Sequence, residues 1–100
     1  MVKHIVFFKL TSFGNNAEKD YQLQEIEKAF KSIPEKLDYI VDYRTCRNIA
    51  EADYAWDFVI DSIFRSVEDL RRYQASDPHK ESVRRAAAIK KIKAVIDYEY

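Results

Sequence analysis

The chain has 100 residues, enough for one domain spanning residues 1–100 with a modest core. Its 17 basic and 17 acidic residues balance, which argues against a general nucleic-acid-binding protein, since such a protein carries a net positive charge. The single cysteine, Cys46, excludes a disulfide within the chain and suits a reducing compartment. We find no signal-peptide pattern and no run of about 18 apolar residues, so we expect a cytoplasmic protein with no membrane or nucleic-acid partner.

The first third of the chain reads as a strand followed by a long helix. Apolar residues alternate along Val2–Leu10, which predicts a β-strand. Asn15, with Glu18 three residues later, has the spacing of a capping box, so we predict a helix over residues 16–33. Pro34 should end this helix, because the residue before a proline is disfavoured in the α conformation.

Two further strands and a last one are predicted by the same alternation. They cover residues 37–48, 54–64 and 92–100. In the last strand, Val95 should face away from Ile96 and its alternate neighbours.

The region between the third and last strands reads as two consecutive helices. Ser66 and Asp69 resemble a second capping box, which opens a helix over Val67–Ala75. Asp77 is then predicted to cap a second helix over residues 77–89, with Pro78 at its first helical position.

The predicted order is strand, helix, strand, strand, helix, strand. This is the ferredoxin-like β-α-β-β-α-β pattern, an α+β fold in which four strands form one antiparallel sheet with the helices on one face. The other face should meet water and be polar, yet the first and third predicted strands are apolar on both faces. A second copy of the chain is the simplest cover, so we predict a homodimer that forms an α/β barrel. The predicted interface residues are Ile5, Phe7, Val59 and Ile63.

Several short segments, in this order along nearly the whole chain, resemble those of stress-responsive A/B barrel (Dabb) domains, members of the dimeric α/β barrel superfamily. The resemblance implies a ferredoxin-like fold and a dimeric barrel made by joining two sheets. The segments are Val2-Lys3-His4-Ile5-Val6, Arg47-Asn48-Ile49, Trp56-Asp57, Phe64-x-Ser66-Val67-Glu68-x-Leu70 leading to Tyr73, and Val95-Ile96-Asp97-Tyr98.

The family is in turn similar to plant polyketide cyclases of the olivetolic acid cyclase type. Those enzymes close a linear polyketide by aldol chemistry without a cofactor, with a histidine as base and a tyrosine hydroxyl holding the substrate. By position, His4 and Tyr73 match the family's strand histidine and helix tyrosine. Where the family has His-Pro-x-His, this chain has Asp77-Pro78-His79-Lys80. Phe58 stands where the cyclases have a further strand histidine.

The resemblance makes His4, Tyr73 and His79 the candidate catalytic residues, because a histidine near its ordinary pKa can act as a general base. It predicts a pocket between helices and sheet for a small apolar or aromatic molecule, and no metal or other cofactor. The predicted pocket residues are Phe8, Phe30, Phe58 and Lys80.

Two alternatives remain at this stage. One is a stress-associated interaction module without enzymatic activity, whose dimer is the functional surface. The other is a cofactorless monooxygenase, an activity found in the dimeric α/β barrel superfamily.

Overall fold

The computed structural model describes residues Met1–Tyr100. The four strands form one antiparallel sheet in the order β2-β3-β1-β4, so the predicted ferredoxin-like fold is confirmed, with one short additional helix before the second strand. None of the helices is both long and apolar enough to cross a membrane. The elements are β1 (Val2–Leu10), α1 (Asn16–Phe30), α2 (Ile33–Lys36), β2 (Ile40–Arg47), β3 (Phe58–Phe64), α3 (Val67–Ala75), α4 (Asp77–Ala86) and β4 (Lys91–Glu99).

The core lies between the helices and one face of the sheet. Alternate residues of β1, beginning with Val2 and ending with Leu10, are buried on this face, and the residues between them are only half-buried. β3 follows the same alternation. From the helices, Ile26, Phe30 and Leu70 complete the cluster. The period of two that predicted β1 therefore corresponds to burial on one side of the sheet.

The first helix begins where the sequence predicts and ends earlier. The Asn15 side chain accepts a hydrogen bond from the Glu18 N–H at 2.9 Å, so the predicted cap is confirmed. α1 ends at Phe30 and not at residue 33. Pro34 lies in the first turn of the short helix α2, where a missing N–H leaves no intrahelical hydrogen bond unmade.

The second and third strands along the chain are shorter than predicted. β2 begins at Ile40 and β3 begins at Phe58, because the residues preceding each of them have no strand partner. A register shift between Ile40 and Asp42 also displaces Val41, which breaks the predicted alternation of β2. Apolar alternation describes the faces of an extended segment, and only pairing with a neighbour decides where the strand ends.

A single serine separates the last two helices. The Ser66 side chain caps α3 as predicted, by accepting from the Asp69 N–H at 3.1 Å. The predicted cap of α4 at Asp77 is wrong: Ser76 is the cap, and Asp77 is the first helical residue. The Ser76 hydroxyl oxygen accepts a hydrogen bond from the His79 N–H, with a nitrogen–oxygen distance of 3.3 Å. Because its backbone is extended, Ser76 can end one helix and start the next.

The face of the sheet opposite the helices has no covering element. The four predicted interface residues are half-buried there, on β1 and β3. On β4, Ile92, Ile96 and Tyr98 share this face and leave 50%, 52% and 47% of their surfaces exposed. We call this surface the open sheet face.

Replacing Ile26 with alanine should lower the free energy of unfolding by about 2–5 kcal/mol, because this fully buried side chain would leave a cavity against the sheet. Chemical denaturation followed by circular dichroism measures the change. Ile49→Ala is the matched control: Ile49 is 97% exposed, and its loss should alter the free energy by less than about 0.5 kcal/mol. Equal losses in the two variants would contradict this placement of the core.

Candidate functional site

A cavity of about 160 Å³ lies between the helices and the β1–β4 part of the sheet. Polar side chains gather at one end of it, and aromatic and aliphatic side chains form the rest of the wall. The apolar wall includes Phe8 and Phe30, and the polar lining residues are His4, Tyr73, Gln74, His79, Lys93 and Asp97.

His4 is bound to a carboxylate across the sheet. The antiparallel register sets His4 opposite Asp97, and the His4 Nδ1 forms a short hydrogen bond with an Asp97 oxygen. His4 is only 3% exposed. An ionised carboxylate can only accept, so Nδ1 carries the proton and Nε2 of the neutral ring is left as an acceptor. Asp97 thereby fixes the tautomer of His4 in the form that can take up a proton.

Tyr73 projects from α3 and is 1% exposed. Its hydroxyl lies 3.3 Å from the hydroxyl of Tyr43 on β2. Burial raises the pKa of Tyr73 to about 12, and it raises the pKa of Tyr43 as well. Both hydroxyls are therefore protonated at neutral pH, and when Tyr43 donates to Tyr73, the proton of Tyr73 is free for a ligand.

His79 reaches the cavity from the first turn of α4. Its ring centroid is 4.7 Å from that of Tyr73, in an edge-to-face arrangement. Burial lowers the pKa of His79, a hydrogen bond to the Gln74 backbone raises it in part, and the positive charge of Lys93 lowers it further. The N-terminal end of a helix also disfavours a cation. His79 is thus neutral at pH 7 and can serve as a second acceptor.

The cavity brings together most of the predicted site residues. His4, Tyr73 and His79 meet at the polar end, as expected from the resemblance. Phe8 and Phe30 form part of the wall, with ring centroids 5.9 Å apart.

Two predicted pocket residues lie elsewhere. Phe58 is buried and borders a separate cavity of about 480 Å³ at the end of the sheet, beside Phe7 and Trp56. Lys80 is exposed on α4 and does not line the cavity of His4. The lysine that does line it is Lys93 of β4.

Three residues of the site were missed by the sequence reasoning: Asp97, Tyr43 and Lys93. Alternation along the last strand does place Lys93 and Asp97 on the face of Val95, opposite Ile96. The signal was present, but its meaning depends on the pairing of β4 with β1. Nothing in the sequence marks Tyr43 as a partner of Tyr73.

The arrangement can bind an apolar molecule and exchange protons with it. The imidazoles of His4 and His79 offer acceptors in their neutral forms, and a tyrosine hydroxyl offers a hydrogen bond to an oxygen of the ligand. No group of three or more histidine, cysteine, aspartate or glutamate side chains is arranged to hold a metal ion.

The family model of the stress-responsive A/B barrel domain (Dabb) matches residues 2–100. The chain belongs to the Dabb family. The predicted family is therefore confirmed. None of the curated proteins matches the chain significantly.

Solved structures share the whole fold of this Dabb chain. A dimeric protein of unknown function with a ferredoxin-like fold, from Bacteroides fragilis, is 27% identical with a TM-score of 0.84, over 99% of this chain and 95% of that one. A Dabb-family protein from Mesorhizobium loti is 20% identical with a TM-score of 0.71, over 99% and 95% of the two chains. The hydroxynitrile lyase of Passiflora edulis is 18% identical with a TM-score of 0.76, over 97% and 90%. The two lower identities establish a common fold.

The His79 imidazole should titrate with a pKa below 6.5, because burial and the nearby charge of Lys93 disfavour its charged form. The lowered pKa stabilises the folded state at pH values above the unfolded pKa of about 6.5, and this stabilisation declines as the pH falls below it. NMR of the ring protons between pH 4 and pH 8 measures the midpoint, with His79→Gln used for assignment. A midpoint at or above that of the urea-unfolded chain would contradict the buried placement of this ring.

Proposed function

We propose that the protein is a homodimer that binds a small apolar or aromatic molecule in the cavity of His4 and acts on it by cofactor-free acid/base chemistry. The observation that carries this proposal is the pairing of His4 with Asp97 in a largely apolar cavity, with the ring of Tyr73 6.1 Å from that of His4. The reaction class is proton abstraction from a carbon or oxygen next to a carbonyl group, as in a cyclisation or a lyase reaction.

His4 is the proposed first base. Asp97 holds the proton on Nδ1, so the Nε2 lone pair can accept a proton from the ligand. The resulting imidazolium is stabilised by the carboxylate that already touches it, as in other histidine–aspartate pairs. His79, whose pKa is lowered by burial, is the proposed second acceptor.

Tyr73 is the proposed hydrogen-bond donor to the carbonyl oxygen of the ligand. Its raised pKa keeps the hydroxyl protonated, and a donor held in a dry site stabilises the negative charge that develops on that oxygen. Tyr43 supports this role because its hydroxyl can satisfy the Tyr73 oxygen from the other side.

The size and walls of the cavity favour an aromatic ligand. The volume of about 160 Å³ is close to that of an engineered cavity of about 150 Å³ that holds one benzene molecule. Phe8 and Phe30 offer ring faces and edges at this wall. The plant hydroxynitrile lyase, which has the same fold, gives a precedent for lyase chemistry on this scaffold.

The dimer is supported by the open sheet face. Large exposed apolar patches mark interaction sites, and the exposed isoleucines and tyrosines of β4 extend the half-buried patch on β1 and β3. The protein from Bacteroides fragilis with 27% identity is dimeric. A symmetric pairing of two open sheet faces would bury both patches at once.

The chemistry is tested with acetophenone, an aromatic ketone whose methyl protons exchange with solvent when a base removes them. In D2O, the protein should accelerate the loss of the methyl signal in proton NMR spectra. His4→Gln should slow this exchange by about 10²–10⁴-fold, because it removes the general base, and Tyr73→Phe should slow it by removing the hydrogen bond to the ketone oxygen.

Tyr21→Phe is the matched control, because Tyr21 is an exposed tyrosine of α1 outside the cavity. This variant should catalyse exchange of the acetophenone methyl protons at the same rate as the unaltered protein. Exchange that is unaffected by both site variants would overturn the acid/base proposal and favour the alternative of an interaction module without enzymatic activity.

The dimer is tested by light scattering during gel filtration. The unaltered protein should elute at twice the chain mass of 11.9 kDa, and Ile96→Glu should elute at the mass of one chain, because a carboxylate would be buried in the proposed interface. Tyr21→Glu introduces the same charge on α1 and should leave the dimer intact. A monomeric mass for the unaltered protein at micromolar concentration would overturn the homodimer.

A further inference from the structure

The cavity of His4 continues into a second cavity of about 300 Å³. The two share Phe8, Phe30, Val83 and Lys93 in their walls, so they form one groove between α4 and the edge strand β4. The second part is lined additionally by Lys91 and by alanines near the end of α4. The groove therefore has His4 and Asp97 in its first part, Lys91 in its second part, and Lys93 in the wall that both parts share.

Neither lysine has a carboxylate partner. Lys91 and Lys93 take no part in any of the ion pairs of the chain. Lys91 is half-buried, and its ammonium group donates to the carbonyl oxygens of Ala86 and Ile89 at 2.6 and 3.2 Å. Two of the three ammonium protons of Lys91 are therefore used in hydrogen bonds to carbonyl groups at and just beyond the end of α4. The ammonium group of Lys93 makes no hydrogen bond within the chain and is available to a ligand.

The two positive charges also oppose each other. Burial lowers the pKa of Lys91, and the charge of Lys93 lowers it further. Two like charges beside one apolar groove are relieved when an anion binds between them. The carboxylate of Asp97 cannot serve this purpose, because it is bound to His4 at the far end.

We propose that the ligand carries an anionic group, such as a carboxylate, that binds Lys93 while its reactive carbonyl lies at His4 and Tyr73. This inference rests on the proposed function and adds the class of ligand: an elongated apolar or aromatic acid. In the register of the sheet, Lys93 pairs with Phe8 and Asp97 pairs with His4. His4 and Phe8 are four residues apart on β1, which corresponds to a backbone distance of roughly 13 Å. The Lys93 side chain can extend toward His4, so its ammonium group can lie closer to His4 than this distance.

A pair of probes of this length differs only in charge. 6-Acetyl-2-naphthoate carries a ketone at one end and a carboxylate at the other, and 6-acetyl-2-naphthamide replaces the carboxylate with a neutral amide. Their naphthalene fluorescence reports binding, and NMR reports exchange of the acetyl protons in D2O. We expect the carboxylate to bind roughly fivefold more tightly than the amide, as for a partly exposed ion pair.

Variants of the lysines test which positive charge binds the carboxylate of the probe. Lys93→Gln should remove the preference for the carboxylate without weakening amide binding, and Lys93→Arg should restore it. Lys90→Gln is the matched control, because it removes the same charge from an exposed neighbour outside the groove. Raising the salt concentration should reduce the preference in the unaltered protein.

The outcomes separate the two proposals. If both probes bind with equal affinity, or if the preference survives in Lys93→Gln, the proposal that Lys93 binds an anionic group of the ligand is overturned while the proposed function stands. If neither probe binds and neither exchanges its acetyl protons, the proposed function falls, and the inference that rests on it falls with it.

Discussion

The antiparallel pairing of β1 with β3 on one side and β4 on the other is the interaction on which the site depends. β1 alternates strictly, so one set of its side chains packs under the helices and the other set reaches the open sheet face. Its register with β4 sets Asp97 opposite His4. A slip of one residue would turn Asp97 to the other face and leave His4 buried without a partner. The His4–Asp97 pair and the proposed dimer surface thus lie on opposite faces of the sheet.

The second constraint is the junction at Ser76, which joins α3 to α4 without a loop. Its hydroxyl group donates to the Tyr73 carbonyl at 2.6 Å and accepts from the His79 N–H. One residue therefore fixes the end of the helix that carries Tyr73 and the start of the helix that carries His79. Capping contributes about 1 kcal/mol to stability, and here it also sets the spacing of the two side chains.

Burial gives the cavity its chemical character. It keeps Tyr73 protonated and His79 neutral, so the polar end consists of hydrogen-bonding groups and one hydrogen-bonded His–Asp pair. An unpaired charge on the buried ring of His4 would be costly, and the carboxylate of Asp97, which reaches the surface, offsets that cost. The lysines lie nearer the solvent on the edge strand β4, where a positive charge is tolerated.

The sequence by itself determined the order of the elements, the alternation of β1, the caps at Asn15 and Ser66, and the apolar character of the open sheet face. These features depend on residues a few positions apart, whose interactions are local. Only the tertiary structure decided the contact between His4 and Asp97, which are 93 positions apart, the link between Tyr43 and Tyr73, and the choice of Lys93 over Lys80 as the lysine of the groove. The starts of β2 and β3 also depended on partner strands. Such contacts are set by register and helix packing, which local patterns do not encode.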